Sequence, residues 1–372
     1  MISLKILVTG SKGFIGKNLV AELRNRGYTD LRLFDRGTDS QSLYDFTRDC
    51  DFVFHLAGVN RSKDEGEFTE GNPRLTRRLL DALRENCNYC PVMVASSIQA
   101  ELDNAYGRSK KAAEDLAFAY GRETGAKVLV YRFPNVFGKW CKPNYNSVIA
   151  TFCHNVARDL PIHINDPATV LTLVYIDDVV AELANALKGK ETRYGEFCQV
   201  PVVYQVTLSR IAELIYEFRR SREKRSIPNM ADEFTKKLYG TYLSYLPEGQ
   251  FSYALNMHVD DRGSFTELIR TPDRGQVSVN IIKPGITKGN HWHHTKNEKF
   301  LVVSGQGVIR FRRVDSGKVI EYFVSGDKLE VVDIPPGYTH NIQNLGNTDM
   351  VVVMWANEPY DPQKPDTYWL EV

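Results

Sequence analysis

Residues 4–16 read LKILVTGSKGFIG: a strand-like apolar run that stops at Gly10, then glycines at 13 and 16, with an apolar helical pattern starting at Phe14. Such a strand–glycine turn–helix unit is built to receive a dinucleotide. Gly10 permits the tight turn, Gly13 lets the backbone approach a pyrophosphate, and Gly16 lets helix and strand pack closely. Phe14 and Ile15 sit in the same junction and count with the cofactor-binding residues. Asp35 closes the next strand, LRLFD, nineteen residues after Gly16, where an acid meets a ribose hydroxyl. Two cations stand beside it. Arg36 follows directly and Lys12 lies inside the glycine loop, so both can clamp a 2'-phosphate, which favours NADPH over NADH.

Beyond the loop, strands and helical patterns alternate to about residue 200: a helix from Phe14, LRLFD, DFVFHLAG, a helix from Pro73, VMVASS, a helix through Lys110, and KVLVYRF. Alternation of this kind needs crossover connections, and so predicts an α/β, doubly wound parallel sheet of Rossmann type. Residues 208–225 read as an amphipathic helix ending in RRSREKR, a solvated basic face. Near LPEGQ, residues 246–250, the pattern changes to short strands alone, among them QVSVNII, KFLVVSG, GVIRFRRV and DMVVVMWA. Closely spaced strands with glycine punctuation predict an all-β antiparallel barrel. The expected division is therefore a nucleotide-binding domain over 1–245, a linker over 246–251 and a barrel over 252–372.

The chain has 372 residues, too many for one core, with 42% hydrophobic and 25% charged residues, the balance of a globular protein. A formal net charge of +1 supplies no field to attract polyanions, so nucleic acid is not an expected partner. No apolar run reaches membrane-spanning length, and the opening MISLKILVTG meets glycine too soon for a secretory segment. A cytoplasmic location and no membrane insertion are expected. Six cysteines at irregular spacing do not form a secreted disulfide framework; the Cys87–Cys90 pair reads as ordinary buried thiols.

Further segments fall in a set order. His55-Leu56-Ala57-Gly58 follows the third strand, Ser96-Ser97 ends the next, Tyr106-x3-Lys110 lies on a helix, and Arg132-Phe-Pro-Asn135-Val-Phe-Gly138 follows. One helical turn puts Lys110 on the same face as Tyr106, where an ammonium can lower the phenol's pKa. Together these segments resemble the extended short-chain dehydrogenases. The resemblance implies that Ser97, Tyr106 and Lys110 are catalytic, that Leu56, Ala57 and Gly58 face the cofactor, and that Asn135 faces the substrate. Ser97 and Tyr106 are only nine residues apart, so the loop between them is shorter than that family's usual one.

In the second half, Gly285-x5-His291-Trp-His293-x4-Glu298-x6-Gly305 and Pro335-Pro-Gly337-Tyr-Thr-His340-x3-Asn344 resemble the two cupin motifs, without the second motif's upstream glycine. His291 and His293 alternate onto one strand face, Glu298 opens the next strand and His340 arrives from a distant one. The set predicts one divalent ion, with zinc expected and iron, manganese or nickel open; His294 should point elsewhere. Asp261-Arg262-Gly263-Ser-Phe265-Thr-Glu267 resembles a stretch of the deoxysugar 3,5-epimerases, which implies substrate contacts at Arg262 and Glu267, Arg262 toward the diphosphate. In those epimerases the position of His291 carries the base, but here the metal motif claims it. Tyr338, His258 and Lys288 remain candidate acids or bases.

One substrate explains both halves. A 4-keto group acidifies the C3 hydrogen, permitting epimerisation through an enolate, and then accepts hydride. Over its whole length the chain resembles bifunctional capsular-polysaccharide synthesis enzymes, which epimerise C3 of a UDP-linked 2-acetamido-2,6-dideoxy-4-hexulose and reduce C4 with NADPH. That resemblance implies a UDP-linked 4-keto-deoxysugar as partner, and a homodimer is expected. A reductase with a purely structural or dimerising barrel, and an iron oxygenase fused to a dehydrogenase, are the competing readings.

Overall fold

The computed structural model describes residues 4–61 and 65–372; the first three residues of the opening stretch lie outside them. The chain divides into two compact units, Met1–Tyr216 with Ala231–Pro247 and Glu217–Met230 with Glu248–Val372. The last boundary lies inside the segment expected to be a linker. Residues 217–230, assigned from sequence to the first domain, instead join the second unit. There Arg225 pairs with Glu267 at 2.7 Å, and its carbonyl accepts the Arg270 N–H at 2.8 Å. Helical periodicity marks the helix but not the partner of its end.

In the first unit β1 (Ile6–Thr9), β2 (Leu31–Phe34), β3 (Phe52–His55), β4 (Val92–Ser97) and β5 (Val128–Phe133) are parallel neighbours in the order β2-β1-β3-β4-β5. The short β8 (Arg193–Tyr194) and β9 (Phe197–Cys198) extend that edge, while β6 (Asn135–Phe137), β7 (Val170–Tyr175) and β10 (Tyr204–Thr207) form a separate small sheet. Ile6, Val8, Phe54 and Met93 pack into one core and Leu7, Val53, Val92 and Val94 into another. The period-two split shows that both sheet faces are covered, as a parallel sheet requires.

One helix departs from expectation. Sequence placed its start at Pro73, but the structure has helix Glu65–Thr69, a π turn Glu70–Arg74 containing Pro73, and then helix Leu75–Glu85. Proline lacks the N–H of the regular ladder, and the wider turn absorbs the break.

The second unit carries β11 (Met257–Asp260), β12 (Gly263–Thr271), β13 (Gly275–Ile282), β14 (Thr287–Trp292), β15 (Glu298–Ser304), β16 (Gln306–Arg313), β17 (Val319–Ser325), β18 (Val331–Ile334), β19 (Tyr338–Asn344), β20 (Met350–Ala356) and β21 (Tyr368–Trp369). They form two antiparallel sheets, β11-β12-β13-β20-β15-β18 and β17-β16-β19-β14-β21. Ile282, Phe300, Ile309, Ile342 and Val352 fill the space between them. The architecture is a Rossmann-type unit followed by a cupin-like all-β unit. Among the described residues no helix is long and apolar enough to cross a membrane.

Candidate active site and metal centre

The glycine loop is shaped by its neighbours. Gly10 has φ +72°, and a Cβ there would meet the Ala57 nitrogen at 2.7 Å; one on Gly16 would meet the Gly10 carbonyl oxygen at 2.1 Å. The loop after β3, with Leu56, Ala57 and Gly58, therefore lies directly against the loop after β1. Gly13 caps the helix Phe14–Asn25, whose first residues, Phe14 and Ile15, pack on the core. Asp35 is bound to the loop itself: its carboxylate accepts the Ser11 hydroxyl and, at 2.9 Å, the Lys12 N–H. Lys12 and Arg36 are exposed beside it.

Ser97 ends β4, and its hydroxyl accepts the Gln99 N–H at 3.2 Å. Tyr106 lies in the first turn of helix Ala105–Thr124, which Asn104 caps. Its hydroxyl donates to Asn60 at 3.2 Å. Burial pushes the phenol up to about 12, with hydrogen bonding to Ser97 acting against it. Lys110 is buried one turn on, and its ammonium donates to the Ala95 carbonyl at 3.1 Å. Burial lowers it to about 8, partly offset by Glu114. Sequence suggested a phenol lowered by Lys110, yet burial dominates both groups: Tyr106 is a neutral phenol and Lys110 an easily deprotonated amine.

Several supporting contacts, among them those of Glu114, Asn72 and Thr76, carried no sequence signal. Ser96 donates to Glu114 at 2.5 Å, and Arg132 grips the same buried carboxylate through two bonds of 2.8 and 2.6 Å, which commits the Ser96 hydroxyl to that carboxylate. Asn72, in the π turn, bonds Val59 through both its N–H and its carbonyl and donates to Ser109 at 2.9 Å, tying the post-β3 loop to the Tyr106 helix. His55 is not free for chemistry. Thr76 donates to the Asn72 carbonyl, so it accepts from His55 Nε2, while Thr9 donates to Nδ1; burial lowers this imidazole to about 3. Asn135 is exposed at the start of β6 and donates to the Thr172 carbonyl at 3.2 Å.

In the second unit His291, His293, Glu298 and His340 each offer a ligand atom, all within 4.8 Å of one another. A β-bulge sets the phase: the pairing of β14 with β19 shifts between Gly289 and His291, Asn290 takes φ +63°, and His291 falls opposite His340. The donor atoms His293 Nε2, His340 Nε2 and Glu298 Oε2 are buried with no hydrogen-bond partner, Glu298 Oε2 lying 3.6 and 3.4 Å from the two nitrogens. Buried polar atoms left unpaired at one point are what a cation site requires. Burial, and then the His340 charge, push His291 down to about 4. Burial alone would raise Glu298, but the neighbouring His293 and His340 rings hold it below the usual carboxylate range. His294 lies outside the cluster, packed on Trp292 and Tyr368.

In the same unit, Met257, His258, Asp260, Arg262, Phe265 and Lys288 help line a cavity of about 520 Å³. Arg262 is held by Asp260 at 2.6 Å. Lys288, lowered by burial, donates to the Ile281 carbonyl at 3.0 Å. Glu267 is not in that lining; it is committed to Arg225. Tyr338 lies outside the lining as well.

Residues 6–196 match the NAD dependent epimerase/dehydratase family, and residues 258–368 the polysaccharide biosynthesis C-terminal domain. A UDP-2-acetamido-2,6-beta-L-arabino-hexul-4-ose reductase of Pseudomonas aeruginosa is 47% identical over 365 residues, 98% of each chain. The crystal structure of the capsular polysaccharide assembling protein CapF from Staphylococcus aureus is 57% identical, with a TM-score of 0.93 over 99% of this chain and 100% of that one. UDP-glucose 4-epimerase of Thermus thermophilus, solved with NAD, shares the fold of the first unit: TM-score 0.51, 24% identity, 57% of this chain and 83% of that one. The chain belongs to the NAD dependent epimerase/dehydratase family and is similar over its full length to CapF.

Proposed function

We propose that the chain is a bifunctional nucleotide-sugar enzyme of capsule synthesis. Its barrel epimerises C3 of a UDP-2-acetamido-2,6-dideoxy-4-hexulose, and its Rossmann unit reduces the C4 ketone with NADPH. The product is a UDP-N-acetyl-6-deoxy-talosamine-type sugar on the route to UDP-N-acetyl-L-fucosamine. The observation that supports it is that the chain carries the His291, His293, Glu298 and His340 cluster and is 47% identical to a hexulose reductase over 98% of its length.

A reduced nicotinamide supplies the hydride. The chain's own residues handle the oxygen: Tyr106, kept protonated by burial, gives its phenolic proton to O4, and Ser97 hydrogen-bonds the same oxygen. Lys110, near its own pKa, can replace that proton. With Asp35 committed to the glycine loop, the exposed cations Lys12 and Arg36 support the choice of NADPH. In the barrel His291, His293, Glu298 and His340 would hold a divalent cation, zinc by donor set, which when bound polarises a carbonyl. Arg262 suits the diphosphate, while Asn135 remains a proposed sugar contact. A homodimer belongs to this reading, supported by the exposed Val319, Tyr322 and Phe323 on edge strand β17.

The test is incubation of the UDP-4-keto-sugar in deuterated water with and without NADPH, following label at C3 and reduction at C4. In a folded, metal-free His293→Ala protein C3 exchange should vanish. Exchange at the wild-type rate would refute a catalytic metal and leave a structural ion beside a base-catalysed epimerisation. Metal removal that costs reduction but never C3 exchange would instead favour the second reading, a reductase whose barrel is structural or dimerising.

A further inference from the structure

The segment 366–371 runs alongside the histidine cluster and carries no part of the chemistry described so far. It touches the strands or loops of all three histidines. Trp369 and Tyr368 pair with His291 and Trp292, and the Leu370 N–H donates to the Asn290 carbonyl at 3.0 Å, holding the bulge that phases His291. Thr339, next to His340, donates its hydroxyl to the Leu370 carbonyl.

The contact with His293 is the most direct. Its Nδ1 lies 2.5 Å from the Asp366 carbonyl oxygen, which can only accept, so Nδ1 carries the proton. The neutral ring then presents its lone pair at Nε2, the buried and unpartnered atom beside Glu298. His340, by contrast, has no hydrogen-bond partner at either ring nitrogen among the described residues. Two features aim the Asp366 carbonyl. The residue has φ +37°, a left-handed conformation uncommon for a residue with a side chain. Its carboxylate accepts the N–H groups of His294, Thr295 and Lys296 at 3.0, 2.9 and 2.9 Å, and the Thr295 hydroxyl at 3.0 Å. The side chain thus grips the three residues after His293 while the main chain fixes the ring.

We propose that residues 366–371 form a strap that tunes the metal centre, with Asp366 as the positioning residue that sets the tautomer and aim of His293. A carbonyl on the remote nitrogen of a ligating imidazole fixes the ring and raises its basicity. This rests on reading the cluster as a metal centre.

The experiment measures binding of cobalt(II), and of zinc(II) by chelator competition, to the full-length wild type, Asp366→Ala and Asp366→Asn. Asp366→Ala should remain folded by circular dichroism, bind cobalt about ten- to a hundredfold more weakly and alter its visible absorption spectrum. Asp366→Asn, which keeps one acceptor oxygen, should fall between the two. A merely structural Asp366 would lower the melting temperature and leave affinity and spectrum unchanged, and that result overturns the strap. If Asp366→Ala does not fold, the Asn variant decides by the same criterion. A wild type that binds neither ion overturns the metal reading itself, and with it the strap.

Discussion

Replacing Lys110 with methionine should change how stability depends on pH. The side chain is 7% exposed, and burial lowers its pKa from 10.5 to about 8. The folded chain thus releases this proton near pH 8 and the unfolded chain near 10.5. Between those values the unfolded state binds more protons, so this group's contribution to stability rises with pH; below 8 the burial penalty is fully present. A depression of about 2.5 units, at about 1.36 kcal/mol each, corresponds to roughly 3 kcal/mol. The unfolding free energy of wild type relative to Lys110→Met should therefore move in favour of wild type by about 3 kcal/mol across that window. Urea unfolding over the pH range measures it, taking the transition of the first unit separately. Reduction of the 4-keto-sugar should be lost in the same variant. A stability difference that stays flat across the window would refute a charged, desolvated Lys110.

Tyr106→Phe should abolish reduction and leave C3 exchange near normal, because the phenolic proton serves only hydride transfer; NADPH consumption at the wild-type rate would sink the assignment. Arg36→Ala should raise the Michaelis constant for NADPH by one to two powers of ten while barely affecting NADH, through loss of a charge-assisted contact worth about 1.5 to 3 kcal/mol. An equal loss with both cofactors would mean that Arg36 does not hold the 2'-phosphate. Cys50 and Cys90, with sulfurs 3.6 Å apart, should form a disulfide under hydrogen peroxide, two thiols and one peroxide giving one disulfide and two waters. Peptide mapping that finds Cys87–Cys90 instead would contradict the geometry.

The parallel sheet of the first unit was legible in residues 4–133 because a parallel strand covered on both faces must be a continuous apolar run, and a crossover helix must separate each from the next; its strand order came only with the structure. The same holds for the histidine–glutamate cluster. Alternation along a strand and a fixed motif spacing are local properties, so His291, His293, Glu298 and His340 could be named before any coordinates. What the linear chain could not carry were relations between distant segments. The sequence reads Cys87 and Cys90 as buried thiols, whereas Cys87 is exposed and packing brings Cys50 against Cys90. It offers Glu267 to the substrate, whereas Arg225, arriving with a helix end that joins the barrel, takes that carboxylate. It suggests a phenol lowered by its lysine, whereas desolvation raises Tyr106 and lowers Lys110. Asp366 had no motif at all, since its role comes from a carbonyl aimed at a ring 73 residues away. Backbone carbonyls, burial and ion-pair competition depend on which surfaces meet, and only folding brings those surfaces together.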